Sequence, residues 1–411
     1  MKPLLYFIIF LNLLNVDSNA QVLLNSGKNE TTLDFRTASF MQRRFDLDSG
    51  NVSRKKDGIF LRSFQTIFNG QQSDKFKYRF AFDFASLLTK PNDPSAPALL
   101  DASATYTGFS FCNIQFGYSK VPYSRQSQIA FFESIYWNRP EISNGILFSR
   151  RDVGITLSKK MLHKTINVYA GIYNGLGEYT LSSGNDPSGK PEFIGRVDYS
   201  YPSRYKYTEM DYSHVPLPMF SLGLNGRYAN KSLPKGTSFA TLTNGEFGSN
   251  VINGKKYTYG ADFSFQYKGF SMQAEIHQIK AIFNDSLDAN LQPYYPTNIL
   301  PVSFTKNQMF AGGYFIQLNY YSQKINSAFS VRYEELNLND LVNGKVNGFG
   351  NQIIIDGVKY SGNAARIGCA YAYRIKGNTM IKASYLYQLR EEPIDMIGYK
   401  KQIRIGFQYV F

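Results

Sequence analysis

Apolar and polar side chains alternate with a period of two along most of this chain, most cleanly from Lys75 to Ala85. Phe76, Tyr78, Phe80, Phe82 and Phe84 fall on one face, and Lys75, Lys77, Arg79, Ala81 and Asp83 on the other. Such alternation specifies a β-strand, because successive side chains point to opposite faces. An aromatic face over five positions suits lipid, with the charged face lining water. Comparable segments lie near 34–44, 58–68, 75–85, 99–107, 111–119, 152–160, 165–173 and 192–200. A second set lies near 219–229, 257–267, 270–280, 310–322, 326–335, 363–374, 379–389 and 402–411. The pattern therefore predicts an all-β fold: a transmembrane antiparallel β-barrel of about sixteen strands, within the even-numbered range of outer-membrane barrels.

The connections agree with that architecture, in which short periplasmic turns alternate with long outer loops. Short ones are expected at 69–74, 108–110, 161–164, 268–269, 323–325 and 375–378. Long ones are expected at 45–57, 86–98, 120–151, 174–191, 230–256, 281–309, 336–362 and 390–401. Tyr201 to Pro218 departs from the rule, being long on the short side, and the pattern offers no reason for it. The alternation puts both ends of the barrel in the periplasm. The final segment, Gln402 to Phe411, carries Ile403, Ile405, Phe407, Tyr409 and Phe411 on one face. An aromatic last residue on that face resembles the terminal strand read by outer-membrane assembly machinery.

Composition fixes the setting of the strands. Residues 1–20 have the form of a secretory signal: Lys2, an apolar run from Leu4 to Leu14 interrupted at Asn12, and Ser18-Asn19-Ala20 as a cleavage site. No Cys follows Ala20, so a lipid anchor is not expected. Residues 21–33 then form a periplasmic N-terminal segment and 34–411 the barrel. With 33 Phe and 31 Tyr the chain is 16% aromatic, yet its mean hydropathy is negative. Cys112 and Cys369 are far apart, each within an alternating stretch, and are expected to act as small apolar side chains. The net charge of +14 favours anionic partners, either small solutes in a pore or lipid and lipopolysaccharide headgroups at its rim.

Short stretches, in order over most of the chain, resemble the phosphate-selective porin O and P family. They include Phe76 to Phe84, then Gly117-Tyr118-Ser119-Lys120-Val121-Pro122-Tyr123-Ser124, where the third loop opens, and Phe132-Glu133 within it. Arg150-Arg151-Asp152-Val153-Gly154 matches its return. Ala170 to Gly177, Gly195-Arg196-Val197, Gln273-Ala274-Glu275, Gly313-Tyr314 and Arg332-Tyr333 follow. The resemblance implies sixteen strands, a homotrimer, and a third loop, 120–151 here, folded into the channel.

Selection in a pore falls to the water-facing groups at its narrowest point. Strand parity turns Arg62, Arg79, Arg196 and Arg332 inward at middle depth, and Arg227, Arg366 and Arg404 nearer the outer mouth. Arg suits phosphate or carboxylate because its planar fork donates paired hydrogen bonds and stays charged. Lys75 and Lys77 adjoin a periplasmic turn, where they could ease an anion's exit. Lys120, Arg125, Arg139, Arg150 and Arg151 lie at or within the third loop with Glu133, and Ile129 to Trp137 is apolar enough to pack against the wall. Against the anion reading, Asp83, Asp101, Asp198, Asp262, Glu275 and Glu334 share the inward parity. Charges on an inner wall commonly pair across strands and merely keep a lumen wet.

The expected function is a porin for small hydrophilic solutes, anions such as phosphate preferred. The alternative is a surface structural or adhesion barrel with a plugged lumen. Catalysis is not expected: of three histidines only His277 has an acidic companion, Glu275, and no nucleophile motif accompanies them. Neither a metal-ligand cluster nor a cofactor signature is visible. Basic residues are dispersed over strands rather than gathered in a stripe, which argues against nucleic acid.

Overall fold

A computed structural model describes residues 22–26, 29–48, 51–54, 57–85, 99–143, 148–177, 188–232, 253–284, 308–337, 353–355, 358–360, 363–389 and 401–410. The expected secretory signal at 1–20, Phe411 and most of the expected outer loops lie outside them. Sixteen antiparallel strands close into a barrel. We number them β1 (Asn29–Asp48), β2 (Gly58–Ser73), β3 (Phe76–Asp83), β4 (Leu99–Tyr106), β5 (Asn113–Lys120), β6 (Arg151–Met161), β7 (Ile166–Tyr173) and β8 (Glu192–Tyr201). The circuit continues with β9 (Met219–Lys231), β10 (Gly254–Tyr267), β11 (Phe270–Phe283), β12 (Gln308–Ser322), β13 (Ser327–Asn337), β14 (Asn363–Lys376), β15 (Thr379–Gln388) and β16 (Lys401–Val410). Each pairs with its sequence neighbour, and β16 returns to β1 with Arg36 opposite Val410 and Phe45 opposite Lys401.

Every strand read from the alternation is present, with ends shifted by a few residues. The largest differences are at β1, which begins at Asn29 and is preceded by a short paired strand, Val22–Ser26, and at β2, which runs on to Ser73. Both extensions are rich in Thr, Asn and Gln, so hydrophobic alternation fades there while ladder hydrogen bonds continue. Cys112 sits in the β4–β5 turn rather than within a strand; it and Cys369 are free thiols.

The faces separate as the period requires. Phe80, Phe116, Ile155, Leu157, Val197, Leu222, Leu224, Leu318, Val331 and Ile405 are exposed on the outer wall. Near the periplasmic strand ends it carries Tyr201, Phe270, Tyr320, Phe329 and Tyr373, and toward the other end Phe193, Tyr257 and Phe310. That is an apolar band between aromatic girdles. Among the described residues no helix is long and apolar enough to cross a membrane; the crossing is made by strands. Asp101, Arg196, Asp262, Glu275, His277, Gln317, Arg332, Glu334, Arg366 and Gln408 point inward, yet all are buried. They are buried because two non-strand segments enter the barrel: 121–143 and 148–150 of the β5–β6 connection, and the β8–β9 connection, 202–218.

Candidate functional site

The β5–β6 loop is fastened to the inner wall along one arc. Where it begins, Glu275 of β11 accepts from Ser124 Oγ (2.7 Å), Gln126 N (2.5 Å) and Ser143 Oγ (3.1 Å), while His277 Nε2 lies 2.8 Å from the same carboxylate. His277 Nδ1 lies 3.2 Å from the Tyr123 hydroxyl, and the ring is fully enclosed. This acid and histidine, the one catalytic candidate in the sequence, therefore anchor a loop. Further round the arc the Tyr136 hydroxyl donates to Gly368 O (3.0 Å) on β14, Lys382 Nζ of β15 donates to Ser134 O (3.0 Å), and Gln408 of β16 donates to Phe132 O (2.7 Å). Trp137 closes the arc against Phe40 of β1, ring centroids 5.2 Å apart. The apolar stretch Ile129 to Trp137 is thus packed against the wall, with Ile129, Phe132, Ile135, Tyr136 and Trp137 each at most 1% exposed.

Several arginines of matching parity are committed to this fastening. Arg196 makes a two-pronged pair with Asp262 (2.6 and 3.0 Å), contacts Asp198 at 2.5 Å, and donates to Tyr123 O at 2.9 Å. Arg227 pairs with Glu192 and donates to Ser149 O (2.7 Å). Arg332 lies 4.0 Å above the Tyr136 ring, donates to Asn138 O (3.1 Å) and faces Glu334. Arg366 bridges Glu141 of the loop and Glu334 of the wall at 3.0 and 2.9 Å. Arg125 is 1% exposed, held between the Tyr205 and Tyr207 rings, whose centroids are 4.4 and 4.7 Å away. Arg125, Arg196 and Arg332 accordingly face protein rather than open lumen. Their charge is spent on wall carboxylates (Asp198, Asp262, Glu334), on backbone carbonyls of the two inserted segments (Tyr123, Asn138, Lys206) and on the rings of Tyr136, Tyr205 and Tyr207.

The remaining candidates gather on the opposite arc, β2 to β7. Arg79 Nε and Arg151 Nε share the Asp101 carboxylate at 2.9 and 3.1 Å, and the Arg79 side chain is still 40% exposed. Arg62 lies at a bulge in β2 opposite the Ala38–Ser39 step, with its guanidinium 4.9 Å from the Phe131 ring of the loop. Asp83 and Arg150 are its charged neighbours. Lys120, at the end of β5, donates to Gln128 O (2.7 Å) and neighbours Arg151, Arg139, Asp101 and Arg79. Arg139, on the loop, donates to Ile129 O (2.7 Å). Burial, then the like charges of Arg150, Arg151 and Arg62, hold its guanidinium well below the ordinary arginine pKa. Arg36 on β1 completes the group, close to Arg79 and 3.6 Å from Asp34. Among the described residues, seven cations (Arg36, Arg62, Arg79, Lys120, Arg139, Arg150, Arg151) meet five carboxylates here (Asp34, Asp83, Asp101, Glu133 and, beside Arg139, Glu209). Arg36 was not singled out in the sequence, although it shares Asp34's face and alternates with Phe35. Lys75 and Lys77 are exposed at the β2–β3 turn, where Lys77, Lys164 and Arg204 neighbour Lys160.

A closed sixteen-stranded barrel with an apolar belt, a polar interior and a long loop folded inward defines the chain as an integral outer-membrane β-barrel of the porin class. Residues 32–131 match the family model for phosphate-selective porin O and P, which bears out the resemblance read from the sequence. Solved structures with the same fold include OmpF of Salmonella typhi, with a TM-score of 0.58 at 8% identity over 95% of this chain and 100% of that one. An anion-selective porin from Comamonas acidovorans gives 0.54 at 10% identity over 93% and 100%. The channel DcaP of Acinetobacter baumannii gives 0.53 at 11% identity over 94% and 99%. No curated protein sequence matches the chain. Family model and fold support an outer-membrane porin channel rather than an enzyme.

Proposed function

We propose that the chain passes small hydrophilic anions, phosphate among them, along the β2–β7 side of its lumen. The observation that carries this reading is the excess of cations over carboxylates around Arg62, Arg79, Arg150 and Arg151 on the β2–β7 arc, where the Arg79 side chain is still 40% exposed. Oriented guanidinium groups bind phosphate or carboxylate oxygens without forming a deep trap, provided successive groups share the load, and conduction needs that balance. Lys75, Lys77 and Lys160 extend the positive surface to the periplasmic exit. The porin O and P match and the anion-selective neighbour point the same way. Assembly as a homotrimer is part of the proposal, supported by the trimer form of OmpT from Vibrio cholerae among the fold neighbours.

The test is the reversal potential of the purified protein in a planar bilayer under a potassium chloride gradient, repeated with phosphate added. Anion preference and a chloride current reduced by phosphate are expected. Cation preference overturns the assignment, and a folded protein with no channel events returns the chain to the alternative of a structural barrel with a plugged lumen.

A further inference from the structure

The seventeen residues between Tyr201 and Met219 are set apart from the other connections on their side of the barrel, which span six residues or fewer. They do not hang beneath the barrel. Tyr205, Glu209, Met210 and Asp211 are buried inside it. The strands receive the segment with a row of polar side chains directed at its backbone. Gln273 Nε2 donates to Thr208 O (2.7 Å), Ser271 Oγ and Asn319 Nδ2 to Glu209 O (2.7 and 3.1 Å), and Gln266 Nε2 to Met210 O (3.3 Å). Ser264 Oγ donates to the Tyr205 hydroxyl at 2.8 Å, and burial pushes that phenol up to about 12. At its lower end Asp211 accepts from Val215 N (3.0 Å) and Gly269 N (2.8 Å), and His214 Nε2 lies 2.8 Å from Tyr321 O. A buried backbone with its polar groups met in this way is a fixed part of the fold.

Its tip touches the constriction loop. The Glu209 carboxylate accepts from Ile135 N (2.9 Å), from the Gln126 amide, and from Gln317 Nε2 (3.2 Å) on β12. Arg125 of the loop reaches down between Tyr205 and Tyr207 to donate to Lys206 O (3.1 Å). One carboxylate thus joins two stretches of the loop, the inserted segment and the wall.

We propose that residues 202–218 form a second inner wall of the channel, filling the periplasmic half of the lumen against β8–β15, with Glu209 as the positioning residue that holds the constriction loop to it. Solutes leaving the constriction then descend only along β2–β7, past Arg79, Lys77 and Lys160, and the pore is off-centre over its whole length. The inference rests on the porin reading but makes a separate claim, since a porin with an open lower half would conduct as well.

The experiment compares single-channel conductance of the full-length wild type, of Glu209→Ala and Glu209→Gln, and of a variant in which 203–217 are replaced by a short Asn-Gly turn. That replacement leaves the Tyr201 to Phe220 pairing of β8 and β9 intact. Heat-modifiable gel mobility confirms folding. Shortening is expected to raise conductance about twofold or more by widening the limiting cross-section. Glu209→Ala is expected to add transient larger openings, and Glu209→Gln, which keeps an acceptor oxygen, to stay nearer the wild type. If the shortened barrel does not fold, the two Glu209 variants decide alone: wild-type traces from both overturn the proposal. A silent wild type beside a conducting shortened variant supports the wall while contradicting passive diffusion. Equal conductance in both overturns the wall and leaves the porin reading standing.

Discussion

Arg196 shows how the inner wall resolves its charges one residue at a time. With Asp198 two residues along the same strand and Asp262 two strands along the wall, reached over Gly223 of β9, it satisfies two enclosed carboxylates and a loop carbonyl. Removing one partner of such a group leaves the others desolvated without a counter-charge, at about 3–5 kcal/mol. Arg196→Met should therefore lower the barrel's resistance to denaturant by about that amount, read as the urea midpoint of the mobility shift between folded and unfolded forms. An unchanged midpoint would show the carboxylates to be hydrated. Strand parity made the inward direction of Arg196, Asp198 and Asp262 legible, because a period of two needs no partner to be read. Which of them pair was not legible, since that depends on register across strands dozens of residues apart. The setting of Arg125 between Tyr205 and Tyr207 was still further out of reach, because it depends on two connections meeting inside the barrel.

At the scale of elements, the turns and the inserted segments carry separate burdens. Lys268 and Gly269 both have positive φ, +46° and +86°, as the twist of a two-residue hairpin demands. A Cβ on Gly269 would lie 2.5 Å from Tyr321 O and 2.7 Å from His214 Nε2. Gly269→Val should cost about 1–3 kcal/mol through backbone strain and loosen the 202–218 segment; the urea midpoint reads the first and conductance the second. The constriction loop hangs on Glu275, whose carboxylate meets Ser124, Gln126, Ser143 and His277. Glu275→Ala leaves these donors buried and unmet, at about 1–3 kcal/mol each. It should yield a folded but noisy channel with several conductance levels, whereas a single wild-type level would show that the loop does not depend on this anchor. Strand order and turn sides could be read because hydrophobic alternation and loop length are local properties. The length of Tyr201 to Pro218 was visible but unexplained, because its reason is a set of hydrogen bonds from Gln266, Ser271, Gln273 and Asn319 on other strands.

For the molecule as a whole, the division between an apolar outside and a charged inside sets the fold, and the division of the inside into two arcs sets the proposed function. Along β8–β16 the charges pair with one another and with the two inserted segments; along β2–β7, where Arg79 and Arg151 share Asp101, cations outnumber the carboxylates beside them. The net charge of +14 alone did not distinguish these arcs. A positive charge about 4 Å from a passing ion is worth about 1 kcal/mol even in water, roughly fivefold in favour of an anion and roughly fivefold against a cation. The most direct test is therefore the reversal potential under a potassium chloride gradient for the wild type beside a variant carrying Arg62→Ser, Arg79→Ser and Arg151→Ser. The account predicts an anion-selective wild type and a variant whose selectivity is lost or inverted at similar conductance. A wild type that favours cations, or a variant with undiminished anion selectivity, would contradict it.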